Sequence, residues 1–247
     1  MGEEIIGRVA SLARYPVQSL RAEPLQAAVI GPAGLWGDRA WGIFDPAEGK
    51  VVTAARGKKP WRNLVGWSAR FRREPETADD MPPAEILLPD GGTIMGDAAD
   101  ADERIAAAIG APARLLRRTA ENQPYQRSPV HLLTSAALAA LARHYPAGRF
   151  EAPRFRPNIL VDCGGAVGFI EQGWHERIIE IGEARLGFEK NTERCIMTTL
   201  PQGELPQDPG ILKAVSEANR RLAGINLKVL RPGRLQVGNP VRLHAAD

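Results

Sequence analysis

The chain has 247 residues, 44% hydrophobic and 25% charged, with 32 basic against 29 acidic residues and a formal net charge of +3. That length buries a real core as one large domain or two smaller ones, and no apolar run reaches the roughly 18 residues that cross a membrane. Basic residues occur only in short blocks among acidic ones, which argues against nucleic acid as a partner. The start runs straight into a strand-like segment without the marks of a secretory signal, so a cytoplasmic chain is expected. In that setting Cys163 and Cys195 need not form a disulfide.

The N-terminal half reads as strands at 5–14, 27–30, 39–44, 51–54 and 64–72, separated by Gly, Pro and Asp turns. The acidic, proline-containing segment 74–83 reads as an exposed loop. A hairpin follows, with strands 86–88 and 93–95 joined by Pro89-Asp90-Gly91-Gly92, whose Asp-Gly supplies the positive φ that tight turns need. Asp100 and Glu103 have capping-box spacing for a short helix that Gly110 ends. A strand at 114–118 closes a β-rich lobe, residues 1–120. The polar segment 120–129, with two prolines, separates it from a second lobe, residues 121–247.

The second lobe begins with a strand at 130–133 and a helix capped by Thr134 or Ser135. The helix runs to about His144 with Leu138, Leu141, Ala142 and Tyr145 on its apolar face. Strands at 159–162, 177–181 and 184–188 come next, then a Pro/Gly-rich loop at 201–210. A helix follows on which Leu212, Val215, Asn219 and Leu222 recur at helical spacing, and strands at 227–230, 235–237 and 241–243 finish the chain. The expected class is α+β, predominantly β, with a few short helices.

Common catalytic templates fail. His131, His144, His175 and His244 are scattered, with no pair at the i, i+4 spacing of a helical metal site. Two cysteines cannot hold an all-cysteine iron-sulfur cluster, and no phosphate-binding glycine fingerprint or nucleophile elbow occurs. What stands out is Cys195 in Thr192-Glu193-Arg194-Cys195-Ile196-Met197-Thr198-Thr199. The guanidinium beside it favours the thiolate, which coordinates soft metals or attacks electrophiles. The same dipeptide equally suits a small buried hydrophobe.

Four segments together resemble the MOSC family, the molybdenum-cofactor sulfurase C-terminal domain proteins with an N-terminal β-barrel lobe. They are Tyr15-Pro16-Val17-Gln18-Ser19, Gly34-Leu35 with Asp38-Arg39, Phe155-Arg156-Pro157-Asn158-Ile159, and Arg194-Cys195 with Thr198-Thr199. Their order and separation extend the likeness over nearly the whole chain, and they are most similar to the amidoxime-reducing branch and bacterial reductases of N-hydroxylated compounds. The resemblance implies a MOSC β-barrel and a molybdenum-pterin cofactor whose metal takes Cys195 as protein ligand. It further implies a cofactor pocket of Gln18, Ser19, Arg39, Thr134, Ser135, Arg156, Asn158 and Arg194. Arginine forks suit a phosphate and a polar fused ring, and a helix start suits an anion. Three positions depart from the family pattern: Gln18 where lysine is usual, Glu193 before Arg-Cys, and Leu200-Pro201 in place of Asp-Pro.

The implied activity is a molybdenum oxidoreductase reducing small N-hydroxylated or related N-oxygenated molecules. The chain lacks the cysteines of a fused ferredoxin domain, so its electrons are expected from a separate ferredoxin- or cytochrome-type protein with its reductase. The alternative is a sulfur carrier or cofactor-handling protein using a persulfide on Cys195. Read without the resemblance, Arg39 is a surface ion pair with Asp38, Asn158 a turn residue, Ser135 a helix cap, Glu171 a solvated charge and Cys163 inert.

Overall fold

The computed structural model describes residues 4–55, 59–77, 80–119, 121–122 and 128–245. Seven strands close on one another in the order Glu4–Arg14, Ile159–Asp162, Val130–Thr134, Leu222–Arg231, Ala184–Glu193, Arg177–Ile181 and Pro240–Ala245, which pairs back to Glu4–Arg14. Every pairing in this barrel is antiparallel except that of Val130–Thr134 with Ile159–Asp162. A parallel pair needs a long crossover, and the helices Ser135–His144 and Ala152–Phe155 supply it.

Alternation along the strands sorts the residues. Leu132, Val161, Ile179, Leu186, Ile225 and Val241 fill the barrel. Leu133, on the opposite face from Leu132, packs outward with Ala137, Leu141, Phe155, Ile211 and Val215 beneath the helices. A separate core of Val17, Leu20, Ile43, Leu64, Ile86 and Ile105 supports two small sheets of the N-terminal half, one of Trp41–Asp45, Lys50–Val51 and Arg114–Arg117 and one of Ser68–Phe71, Ala84–Leu87 and Thr93–Met95. The two halves interlock: the first strand is a stave of the barrel, and Gly233–Gln236 pairs with Ala27–Gly31. Gly7 permits a close approach, since a Cβ there would lie 2.2 Å from the Asp162 carbonyl oxygen.

The fold is predominantly β with few helices, as the sequence predicts. Individual elements differ. The strand expected from residue 39 starts at Trp41, because Arg39 has a left-handed backbone with φ of 52°. The segment 64–72 divides into a 3-10 turn, Trp61–Gly66, and a strand, Ser68–Phe71. The last helix stops at Asn219, where Arg220 turns left-handed, so Leu222 opens a ten-residue strand instead of continuing the helical face. Asp100 occupies its cap position without a side-chain bond, whereas Thr134 does cap, accepting from the Ala137 N–H. Ala152–Phe155 and the 3-10 turn Ile170–Trp174 are too short for periodicity to reveal. Most of the boundary segment 120–129 lies outside the described residues.

Candidate functional site

Where the first barrel strand ends, Tyr15 leaves it and becomes buried. Its N–H donates to Asp38 Oδ1 at 2.9 Å and its hydroxyl donates to the Pro157 carbonyl at 3.3 Å. The Arg156 and Arg39 guanidiniums lie over its ring, with Cζ 4.2 and 4.6 Å from the centroid. Asp38 also accepts from Arg39 Nη1 at 2.5 Å, with its own side chain fully buried. Only five non-glycine residues among those described have positive φ, and three of them are Ser19, Arg39 and Arg156. Each such backbone costs on the order of 1–3 kcal/mol, and strain of this kind persists where the surroundings fix a side chain for a purpose.

Arg194 completes the cluster. Its Nη2 donates to the Phe155 carbonyl at 2.5 Å, its Nη1 lies 3.4 Å from His131 Nε2, and its Nε is buried without a partner. Burial pulls this guanidinium down to about 10. The tautomer of His131 follows from its contacts: Nδ1 sits 3.1 Å from the Arg156 carbonyl, which only accepts, so Nδ1 carries the hydrogen and Nε2 faces Arg194 as an acceptor. Burial, then the Arg194 charge, holds His131 well below the usual imidazole range, so it is neutral. Three guanidiniums, those of Arg156, Arg39 and Arg194, and one carboxylate, Asp38, act on Tyr15.

Directly after this buried guanidinium the chain surfaces. Cys195 is exposed and opens the 3-10 turn Ile196–Thr199, its carbonyl accepting from the Thr198 N–H at 3.1 Å and hydroxyl at 3.0 Å. Glu193 points away from the cluster, 68% exposed and 3.5 Å from Arg221, so its charge is answered at the surface. No group of three or more His, Cys, Asp or Glu among the described residues is arranged to hold a metal. A metal on the Cys195 sulfur would therefore take its other ligands from a cofactor.

The remaining sequence-predicted residues divide. Gln18 is buried, and neither its Oε1 nor its Nε2 has a hydrogen-bond partner. Leaving both unmet costs about 1–3 kcal/mol each, so they suit a polar ligand. Ser19 Oγ accepts from the Ala54 N–H at 3.1 Å. Asn158 spends its amide inside the fold, its Oδ1 accepting from the His131 N–H and its Nδ2 donating to the Ala13 carbonyl. Thr134 lies on the face of its strand opposite His131, where its hydroxyl donates to Glu171 Oε2 at 2.7 Å. Ser135 bonds Asp162 and the Cys163 N–H beyond the strand end. These hydrogen bonds tie Thr134 and Ser135 to that end of the strand pair and not to the arginines.

Sequence reasoning missed His131, which carries no motif, and Arg154. The latter is fully buried and donates to the carbonyls of Arg149, Thr198 and Pro206, pinning the loop after Cys195. It also placed Glu171 in solvent. The residue is buried, accepting from Thr134 and from the Gly224 N–H at 3.0 Å, and burial raises its carboxyl above the ordinary value.

Comparison with known proteins bears on the fold and the family. Over its full length the chain superposes on the YUAD protein from Bacillus subtilis, covering 99% of that chain with a TM-score of 0.55 and 14% identity, a likeness of fold. YiiM from Geobacillus stearothermophilus aligns with 53% of this chain and 67% of its own, at 18% identity and a TM-score of 0.36. YiiM from Escherichia coli aligns with 51% of this chain and 59% of its own, at 18% identity and a TM-score of 0.37. No curated protein matches in sequence. The MOSC N-terminal beta barrel domain matches residues 6–62 and the MOSC domain matches residues 108–242, so the chain belongs to the MOSC domain family.

Proposed function

We propose that the protein is a molybdenum-pterin oxidoreductase that reduces small N-hydroxylated or related N-oxygenated molecules. The observation that carries this reading is Arg194, a buried guanidinium with an unbonded Nε, placed immediately before the exposed thiol of Cys195. A buried cation invites an anion, and family membership supports a molybdenum-cofactor-associated role. Arg39, Arg156 and Arg194 would hold the cofactor's phosphate and polar ring edges, Gln18 would meet a ring donor and acceptor with its two open atoms, and Cys195 would bind the metal through sulfur. When bound, the group supplies the redox centre for breaking an N–O bond. The protein's own part is to orient it: His131 fixes Arg194, Asp38 fixes Arg39, and the Tyr15 ring spaces Arg39 and Arg156.

Electrons come, in this reading, from a separate ferredoxin- or cytochrome-type protein with its reductase, and the setting is cytoplasmic. The described residues contain no helix long and apolar enough to cross a membrane. The test is reduction of benzamidoxime to benzamidine by protein from a molybdenum-replete host, with reduced methyl viologen as donor. Turnover that disappears in Cys195→Ser supports the reading, and a molybdenum-loaded protein that leaves benzamidoxime and hydroxylamines untouched overturns it. The exposure of Cys195 also suits a sulfur carrier, for which mass spectrometry would find a Cys195 persulfide without metal.

A further inference from the structure

A cleft of about 390 Å³ lies between the first barrel strand, the segment around Arg21 and the loop that follows Cys195. Its volume falls in the range of small-molecule sites, about 300–1,000 Å³. Leu12, Pro24, Pro157 and Leu205 give it apolar walls, and Arg21, Arg149 and Arg156 reach it. The charge of Arg149 is already answered, since Glu151 Oε1 accepts from its Nε at 2.7 Å. Arg21 differs: its Nε is buried without a hydrogen-bond partner, and among the described residues no carboxylate pairs with it.

Arg21 is fixed at its backbone and packed at its tip. Its backbone N–H donates to the Trp67 carbonyl at 2.8 Å, and its guanidinium lies against Gly203, where a Cβ would be 2.8 Å from Nη1. Gly203 sits in a tight turn closed by reciprocal bonds of 3.0 and 3.1 Å between Gln202 and Leu205. That turn is anchored toward Cys195 by Gln202 Nε2 donating to the Met197 carbonyl at 3.1 Å. A guanidinium that reaches apolar walls and, among the described residues, has no carboxylate paired with it matches a carboxylate on an apolar body.

We propose that this cleft binds a small organic acid through Arg21. Tyr15 and Arg156 line both the cleft and the buried cluster. Resting on the function proposed above, the acid is therefore the substrate, an N-oxygenated molecule that also carries a carboxylate.

The test is calorimetric titration with benzoate, its neutral counterpart benzamide and inorganic phosphate, on protein whose molybdenum and pterin content is measured separately. Benzoate binds at least about tenfold more tightly than benzamide, and Arg21→Gln removes that preference, the effect of one charge-assisted bond. Gly203→Ala, which pushes a methyl group against the same guanidinium, weakens benzoate in parallel. Thermal melting establishes that each variant is folded, and either variant alone suffices. Equal binding of benzoate and benzamide, no saturable benzoate binding, or tighter binding of phosphate than benzoate overturns the proposal. Benzoate bound only by pterin-free protein makes the cleft part of the cofactor's own site and overturns the substrate assignment. Molybdenum-free protein that still prefers benzoate supports the acid site while sinking the oxidoreductase reading.

Discussion

Two buried arginines, Arg194 and Arg154, are expected to respond very differently to replacement by methionine, which keeps an unbranched chain of similar length and removes the charge. Burial pulls the Arg194 guanidinium well below its ordinary value, to about 10, and a tenfold change in proton affinity is worth about 1.36 kcal/mol, so holding its charge costs about 3 kcal/mol in the cofactor-free protein. Arg194→Met relieves that cost but leaves two acceptors without their donor, the Phe155 carbonyl at about 1–3 kcal/mol and the more distant His131 Nε2 at about 1 kcal/mol, a loss of about 2–4 kcal/mol. The net change is within about 1 kcal/mol of neutral. Arg154→Met strips donors from three carbonyls at 2.8 to 3.2 Å and frees the loop they hold, for an expected loss of about 3–5 kcal/mol. Urea unfolding at pH 7 on cofactor-free protein measures both. A loss of more than about 3 kcal/mol for Arg194→Met would refute the reasoning, because the guanidinium would then be a structural pin like Arg154 and not a charge waiting for a ligand.

Glu171 gives a pH signature. Its folded carboxyl is raised above the unfolded value near 4.5 by burial, so the stability it contributes is fully present below that value and is lost as pH rises through the folded pKa. Glu171→Gln should flatten the melting temperature above pH 4.5, and parallel profiles for the two proteins would count against it. The thiols should separate in reactivity. Burial, then the Glu171 and Asp162 charges, push Cys163 up to about 11, so about one molecule in a thousand is thiolate at pH 8 and iodoacetamide should label the exposed Cys195 first. Equal labelling in a peptide map would contradict this. Gly224→Ala should cost about 2–3 kcal/mol, because its φ is 78° and a Cβ would lie 2.6 Å from His131 Nε2 and 2.7 Å from the Leu132 carbonyl oxygen. Thermal denaturation within 0.5 kcal/mol of the parent, in the ordinary range of about ±0.5 kcal/mol for surface changes, would show that the strand gives way freely.

What was legible in the sequence was what local chemistry encodes. Alternating apolar residues marked most barrel strands, and the Asp90-Gly91 turn and Gly110 end came out where their backbone demands put them. Gln18, Arg39, Arg156 and Arg194 were visible through motif resemblance, and the structure gathers the three arginines near Tyr15 and His131 although they lie far apart in sequence. What stayed hidden was set by tertiary context. His131 reads as one more strand residue until its ring is found between the Arg156 carbonyl and the Arg194 guanidinium. Arg154 and Glu171 look like surface charges, since nothing local signals that three carbonyls or a hydroxyl and an N–H will converge on them. The left-handed backbone of Arg39 displaced a strand start in the same way, its N–H bonding the Tyr15 carbonyl, whereas Arg220 ends the last helix through a local left-handed cap on the Val215 carbonyl.

The central claim is that the buried arginines and Cys195 hold a molybdenum-pterin group, and the most direct measurement is the molybdenum and pterin content of protein purified from a molybdenum-replete host. The account predicts near-stoichiometric amounts of both in the native chain and loss of the metal in Cys195→Ser. Absence of molybdenum and pterin from the native protein would contradict it.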